Sequence, residues 1–213
     1  MVPFVCFVGP NGVGKTTIIE KLVVNLKQRG YKVGVLKHAA KGFSLDKEGK
    51  DSWRYTQIGT DTVILASEEK IVLIKNLKDS IIEEAYRLLN DVDIVLIEGL
   101  KTSKFPKIEV HRKGYKLFCA KGVIALVTDE PLEFNIPQFN LEDIKAITDF
   151  IEEIFLKKSK KEDIRLLVNG VSIPLNPFLR KFFSQVIKAM VIPLKGVEES
   201  KLKNISLDIF YRK

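Results

Sequence analysis

The segment GPNGVGKT at positions 9–16 constrains this chain more than any other feature. It has the glycine, lysine and threonine spacing of a phosphate-binding loop. An apolar run at 2–8 precedes it and predicts a buried strand, and apolar residues at helical spacing follow it. In that context backbone N–H groups at a helix N-terminus face a polyphosphate, Lys15 bridges its β and γ phosphates, and Thr16 ligates Mg²⁺. The residues predicted to bind the nucleotide here are Gly9, Asn11, Gly12, Val13, Gly14, Lys15, Thr16 and Thr17.

Strand-like and helical patterns alternate along most of the chain. Apolar strands are predicted at 31–38, 62–67, 70–75, 93–99, 107–112 and 122–129, with helices near 81–89 and 144–155. The polar segment 39–60 has little periodicity and is predicted to be a long functional connection. The pattern predicts an α/β phosphate-loop NTPase fold, with a mostly parallel sheet flanked by helices.

Three acidic residues are candidates for the chemistry of such a site. Glu98 ends a strand before Gly99, where a phosphate loop needs a carboxylate for hydrated Mg²⁺ or the attacking water. Asp51 lies in the connection after the second strand, and either positions water or is simply solvated. Asp129 ends a later strand, where a carboxylate can accept hydrogen bonds from a guanine edge. We therefore predict Lys15, Asp51 and Glu98 as catalytic, Thr16 and Glu98 as metal-binding, and Asp129 as nucleotide-binding.

The composition excludes several classes of protein. With 213 residues, 46% of them hydrophobic and 29% charged, the chain is long enough for about one large domain with an appendage. No apolar run approaches the ~18 residues that span a bilayer, and no secretory leader precedes the first strand. The two cysteines, Cys6 and Cys119, are too few for a disulfide framework. These features predict a cytoplasmic protein without a membrane segment.

The net charge of +8 is confined to one end of the chain. Residues 1–156 are neutral, whereas 157–213 contain 13 Lys/Arg and 5 Asp/Glu. We predict a nucleotide-binding domain at 1–156, a charged linker at 157–163 and a small basic α+β extension at 164–213. The extension is read as β-β-α-β, with a hairpin at Asn169-Gly170, a helix from Pro177 and a last strand at 205–211.

The assembled motifs resemble the molybdopterin-guanine dinucleotide biosynthesis protein B family. The resemblance covers about residues 1–155 and rests on GPNGVGKTT, VLKH followed by GF and DKEGKDSWR, DIVLIEGLK, and PKIEVHR. It implies a protein that binds GTP and Mg²⁺ and hydrolyses GTP weakly at most. It also implies an accessory role beside the molybdopterin guanylyltransferase that joins GMP to molybdopterin, and a homodimer. Ala40 and Lys41 replace a histidine pair common in the family, and Ser44 replaces an acidic residue, which speaks against a metal or catalytic role for that stretch.

Other features leave alternatives open. Lys101, Lys107 and Arg112 follow the acidic strand, and either hold the phosphate of a pterin or another anion, or form a solvated basic loop. His38 and His111 end predicted strands but do not make a metal site by themselves. A small-molecule kinase would use the same phosphate loop, but only Arg54 in the 39–60 connection could serve as a lid arginine. The basic extension is compatible with a nucleic-acid-binding module, although the spacing of its phenylalanines favours a core over base stacking.

Overall fold

The computed structural model describes the chain apart from residues 1, 45, 78–79, 119–120, 158–163, 165, 169–170, 174, 203–204, 208 and 210–213. The chain divides into two compact units, Val2–Ser159 and Lys160–Lys213. The point of division falls inside the charged segment 157–163.

The Val2–Ser159 unit is built on a six-stranded sheet in the order β2-β5-β1-β6-β7-β8. Its strands are β1 (Phe4–Val8), β2 (Val33–Lys37), β5 (Ile94–Glu98), β6 (Lys107–Val110), β7 (Val123–Thr128) and β8 (Gln138–Asn140). Every pair of neighbours runs parallel, which confirms the predicted parallel sheet. β1 lies in the centre and is buried at every residue, as its continuous apolar sequence predicts. The carboxyl ends of β1, β2, β5, β6 and β7 therefore meet at one edge.

Helices cover both faces of this sheet. On one face α1 (Lys15–Gln28) and α4 (Ile144–Ile151), which continues into a π-helical segment at Glu152–Leu156, enclose the larger core. On the other face α3 (Ile81–Leu88) contributes Ala85 to a smaller cluster. The predicted helical repeat of α1 is confirmed, because Ile18, Ile19, Leu22 and Leu26 are all buried. The α1–sheet contact fixes the orientation of the loop between β1 and α1.

Two short elements of this unit depart from the predicted pattern. The 39–60 connection contains a helix, α2 (Asp51–Gln57), whose sequence DSWRYTQ has no apolar repeat and buries only Ser52. The edge strand β8 has three residues, too few for an alternating pattern. The predicted strands at 62–67 and 70–75 are confirmed as an antiparallel hairpin of β3 (Thr62–Ala66) and β4 (Ile71–Lys75).

The Lys160–Lys213 unit contains β9 (Leu166–Val168), β10 (Val171–Ile173), α5 (Pro177–Val191) and a 3₁₀ turn at Glu199–Lys201. β9 and β10 pair antiparallel, while the predicted Asn169-Gly170 turn lies outside the described residues. α5 starts where predicted, because Asn176 accepts a hydrogen bond from the Leu179 N–H and proline occupies the first turn. The strand predicted at 205–211 is wrong where the chain is described, because 205–207 and 209 belong to no strand, and 208, 210 and 211 lie outside the described residues.

Candidate functional site

The loop between β1 and α1 has the backbone that a phosphate cradle requires. Gly9 has φ 140°, and a Cβ there would lie 2.3 Å from the carbonyl oxygen of Val110 on the neighbouring strand. Gly12 and Gly14 also have positive φ, and α1 begins directly at Lys15. Val13 contributes its side chain to the core. The loop is thus pressed against β6 while its N–H groups and the helix N-terminus lie at the carboxyl edge of the sheet.

Lys15 bends back over this loop. Its ammonium donates to the carbonyl oxygens of Gly9, at 3.0 Å, and Pro10, at 2.6 Å. Burial lowers the pKa of Lys15 from its ordinary value, nearby Glu98 opposes that shift, and Lys37 adds to it. The lysine is therefore held at the mouth of the loop by neutral acceptors, where an anion would be a better partner.

Thr16 and Glu98, the two residues predicted to bind the metal, meet at the carboxyl edge of the sheet. The Thr16 hydroxyl donates to Glu98 Oε2 at 3.0 Å. Lys37 Nζ lies 3.5 Å from the same oxygen, because Lys37 ends β2 opposite Glu98 in the parallel register. The sequence reasoning missed Lys37: its position at a strand end was visible, but its neighbour depends on the strand order.

The turn after β6 carries two more side chains to the phosphate loop. Arg112 Nη2 lies 3.8 Å from the point where a Cβ on Gly14 would stand, and the Tyr115 hydroxyl lies 3.2 Å from the corresponding point on Gly12. Arg112 was predicted as an anion contact, and the structure places it beside the loop. Tyr115 was missed, since a single tyrosine in a basic loop gives no signal.

Asp129 and the two histidines occupy the same end of the sheet. Asp129 Oδ1 accepts a 2.7 Å hydrogen bond from the Lys113 N–H. His111 is buried, and its Nε2 lies 2.8 Å from Glu130 Oε1. The His38 Cβ lies 3.4 Å from the point where Gly99 would carry a Cβ. In the part of the chain that the structure describes, no group of three or more His, Cys, Asp or Glu residues could hold a metal ion.

Lys107 does not fit the anion-binding role predicted for it. Its side chain is 1% exposed, and its ammonium donates to the carbonyl oxygens of Ser103 and Phe105 at 2.6 and 3.1 Å. Buried amines persist where such acceptors satisfy them, so we assign Lys107 to the structure of the 103–107 turn. Lys101 remains at the surface, with Nζ 5.1 Å from the centre of the Phe118 ring.

Comparison with known proteins identifies the family. The family model described as molybdopterin guanine dinucleotide synthesis protein B, MobB, matches residues 4–129. The chain belongs to the MobB family. The matched range contains the phosphate loop, Glu98, the turn at 112–115 and Asp129.

Individual MobB relatives cover different shares of this chain. The molybdopterin-guanine dinucleotide biosynthesis adapter protein of Haemophilus influenzae is 36% identical over 71% of this chain and 88% of its own length. The putative adapter protein of Methanocaldococcus jannaschii is 27% identical over 95% of this chain and 96% of its own length. The solved structure of Bacillus subtilis MobB aligns with a TM-score of 0.58 and 27% identity, over 71% of this chain and 96% of that one. The MobB fold thus corresponds to the larger part of this chain, and the rest has a counterpart in the archaeal relative.

Asp51 is the remaining residue that was predicted to be catalytic, and its described contacts are with residues outside the phosphate loop of this chain. Its carboxylate is 85% exposed and lies 3.9 Å from Arg54, one helical turn away. With Asp46, Tyr55 and β3 it lines an open cavity of about 500 Å³. None of these contacts is with the residues of the loop at 9–16.

No helix within the described ranges is both long and apolar enough to cross a membrane.

Proposed function

We propose that this MobB-family chain is an adapter in molybdopterin-guanine dinucleotide biosynthesis that binds GTP with Mg²⁺ at the loop of residues 9–16. The observation that carries the proposal is that one glycine loop brings together Lys15, whose ammonium donates to the Gly9 carbonyl, and Thr16, whose hydroxyl donates to Glu98. Lys15 and Thr16 come from the N-terminus of α1, and Glu98 comes from the end of β5, which lies beside β1. They match the requirements of a triphosphate and its metal.

The residues present suit a magnesium ion. Mg²⁺ prefers hard oxygen ligands, and the Thr16 hydroxyl and the Glu98 carboxylate are 3.0 Å apart and partly accessible. Thr16 would hold the ion directly and Glu98 directly or through water. When bound, the ion would neutralise charge on the β and γ phosphates.

Three positively charged side chains of the site would neutralise the rest of the charge on the phosphates. Lys15 would exchange the carbonyls of Gly9 and Pro10 for phosphate oxygens, since a charged acceptor forms the stronger hydrogen bond. Lys37 and Arg112 approach from the two sides of β1, one beside Glu98 and one beside Gly14. Weak GTP hydrolysis, which the family resemblance implies, belongs to the same proposal.

The partners belong to the same proposal. The H. influenzae relative is named an adapter protein of this biosynthesis, which supports a complex with the molybdopterin guanylyltransferase and with molybdopterin. A cytoplasmic location is part of the same proposal. A homodimer is supported by the β3–β4 hairpin, whose exposed apolar residues include Ile64, Leu65, Ile71 and Val72. A two-stranded hairpin is marginally stable alone, and a second copy of it would cover this surface.

Calorimetric titration with GTP, ATP and GMP, with and without Mg²⁺, tests the nucleotide assignment. We expect Mg²⁺-dependent GTP binding that Lys15→Ala abolishes, whereas Lys27→Ala, an exposed lysine change on the same helix, leaves it intact. Full retention of GTP by the Lys15→Ala protein would refute the site. Free displacement of GTP by ATP would favour a small-molecule kinase instead.

A further inference from the structure

The turn that follows β6 is tied down at both ends by carboxylates. Asp129, directly after β7, accepts the Lys113 N–H at 2.7 Å. Glu109 on β6 accepts the Phe118 N–H at 2.6 Å and is 1% exposed. Within the turn, the Tyr115 N–H donates to the Arg112 carbonyl at 3.0 Å, and Gly114 has the positive φ that closes the turn.

This turn delivers side chains to the phosphate loop. Arg112 immediately precedes the residue that Asp129 holds, and its Nη2 lies 3.8 Å from the Cβ point of Gly14. Tyr115 follows by two residues and places its hydroxyl 3.2 Å from the Cβ point of Gly12. Both side chains are exposed at this edge, so their positions depend on the backbone of the turn.

We propose that Asp129 is a positioning residue that fixes the Arg112 turn, defined as residues 112–115, against the phosphate loop. A carboxylate accepting a backbone N–H forms a charge-assisted bond, and β7 is a rigid base for it because it lies inside the parallel sheet. The bond holds Arg112 in place for the γ phosphate. This role replaces the guanine contact predicted for Asp129, and it rests on the proposed GTP binding at the same site.

The two roles of Asp129 predict different nucleotide preferences for Asp129→Asn. The amide oxygen of asparagine still accepts an N–H, so a positioning residue tolerates the change, and GTP affinity stays within about threefold of wild type. If Asp129 instead read the base, its carboxylate would accept hydrogen bonds from the guanine N–H groups, and the asparagine variant would lose that interaction. The NH₂ group of asparagine would instead donate to the 2-carbonyl of xanthine. Competition between GTP and XTP for the full-length protein separates these outcomes, and a switch towards XTP would overturn the proposal.

Asp129→Ala removes the acceptor, and we expect about tenfold weaker GTP binding, the equivalent of one hydrogen bond to a charged group. GDP binding should weaken less, because it lacks the γ phosphate. Glu133→Ala, an exposed carboxylate change four residues further along, is the matched control and should leave both affinities unchanged. Equal loss for GTP and GDP, or no loss, would contradict the assigned role.

A double-mutant cycle with Arg112→Ala tests whether Asp129 acts through the arginine. If it does, the double variant binds GTP no more weakly than Arg112→Ala alone. If the two residues act independently, the fold-losses of GTP affinity multiply in the double variant, and that result would contradict the proposal. Hydrogen exchange of the segment 111–118 in nucleotide-free protein should be faster in Asp129→Ala and unchanged in Asp129→Asn.

The same measurements distinguish the two levels of failure. If the wild-type protein does not bind GTP, the proposed function fails and this inference falls with it. If the wild type binds GTP and Asp129→Ala binds it equally well, only the inference fails. Should Asp129→Ala not fold, as judged by circular dichroism, the GTP and XTP preferences of Asp129→Asn decide the matter alone.

Discussion

Helices α1 and α5 have similar apolar stripes in sequence and different surroundings in the structure. α1 buries Ile18, Ile19, Leu22 and Leu26 against the sheet. α5 has no buried residue, and Phe178 and Phe182, one turn apart with ring centres 6.2 Å from each other, are 72% and 49% exposed. Periodicity therefore predicts that a helix forms and which side is apolar, but not that a surface is present to cover that side.

The contrast extends to the two units of the chain. The Val2–Ser159 unit has a sheet covered by helices on both faces, whereas the described part of the Lys160–Lys213 unit has a two-stranded sheet and one long helix. About fifty residues bury a smaller fraction of their surface than a domain of 150. The solved B. subtilis MobB matches 71% of this chain over 96% of its own length, so a MobB fold does not need all of this chain.

The sharpest test of this contrast removes one side chain from each helix. We expect Leu22→Ala to lower the free energy of unfolding of the larger unit by about 3–5 kcal/mol, because Leu22 is fully buried. Phe182→Ala should change the smaller unit by less than about 1 kcal/mol. Urea unfolding followed by the single tryptophan, Trp53, reports the larger unit, and hydrogen exchange of α5 reports the smaller one. Similar losses in both would abolish the distinction.

A pair of glycines offers a second comparison. Gly9→Ala places a methyl group 2.3 Å from the Val110 carbonyl oxygen at φ 140°, and should cost about 3 kcal/mol through combined strain and overpacking. Gly196→Ala meets no atom within 4 Å and should cost only the strain of its positive φ, about 1 kcal/mol. Urea unfolding measures the first cost and hydrogen exchange near residue 196 the second. A Gly9→Ala protein as stable as wild type would show that the phosphate loop can move away from β6.

In the larger unit, side-chain hydrogen bonds link the end of α1 to the π-helical segment after α4. These bonds make the stability of the unit depend on pH. Hydrogen bonds from Arg29, at 2.5 Å, and Tyr31, at 2.8 Å, lower the pKa of Glu152 below its ordinary 4.5. A depressed carboxyl pKa stabilises the folded state above pH 4.5, and that contribution is lost as the pH falls through the folded-state pKa. Glu152→Gln should therefore cost about 1 kcal/mol near neutral pH, and little at an acid pH below the folded-state pKa.

Urea unfolding at the two pH values checks this expectation. Glu142→Gln is the control, because the ion pair of Glu142 with Lys21 is largely exposed and should contribute almost nothing. A cost for Glu152→Gln that persists unchanged in acid would rule out the charge as its cause.

The smallest expected effect is that of removing the C-terminal unit. A chain ending at Ser159 should keep the Trp53 unfolding transition within about 0.5 kcal/mol of the full chain, since the sheet and its helices all lie before that point. GTP affinity should also be retained. A large loss of either would mean that the two units are not separable as the contact pattern indicates.

Sequence patterns predicted those elements that are determined by residues close together along the chain. The loop of residues 9–16 combines a motif with an adjacent strand and helix, and Glu98 is marked by the strand before it and Gly99 after it. The parallel sheet followed from continuous apolar strands alternating with helices. The short elements α2 and β8 were missed because seven and three residues cannot display a periodicity.

The parts of the site that were missed depend on strand order and on buried polar contacts. Lys37 joins Glu98 only because β2 and β5 are neighbours, and Tyr115 reaches Gly12 only because β6 lies beside β1. Lys107 was misassigned for the same reason: a lysine at a strand start suggests an exposed cation, but here two carbonyls of the preceding turn enclose its ammonium. Such pairings are properties of the tertiary arrangement.

The close approach of Gly9 to Val110 has a mechanical consequence. Since the glycine leaves no room for a side chain between the two backbones, a displacement of the loop towards β6 would push on the strand that leads into the Arg112 turn. Such a displacement would move the exposed Arg112 turn through contacts between main-chain atoms alone.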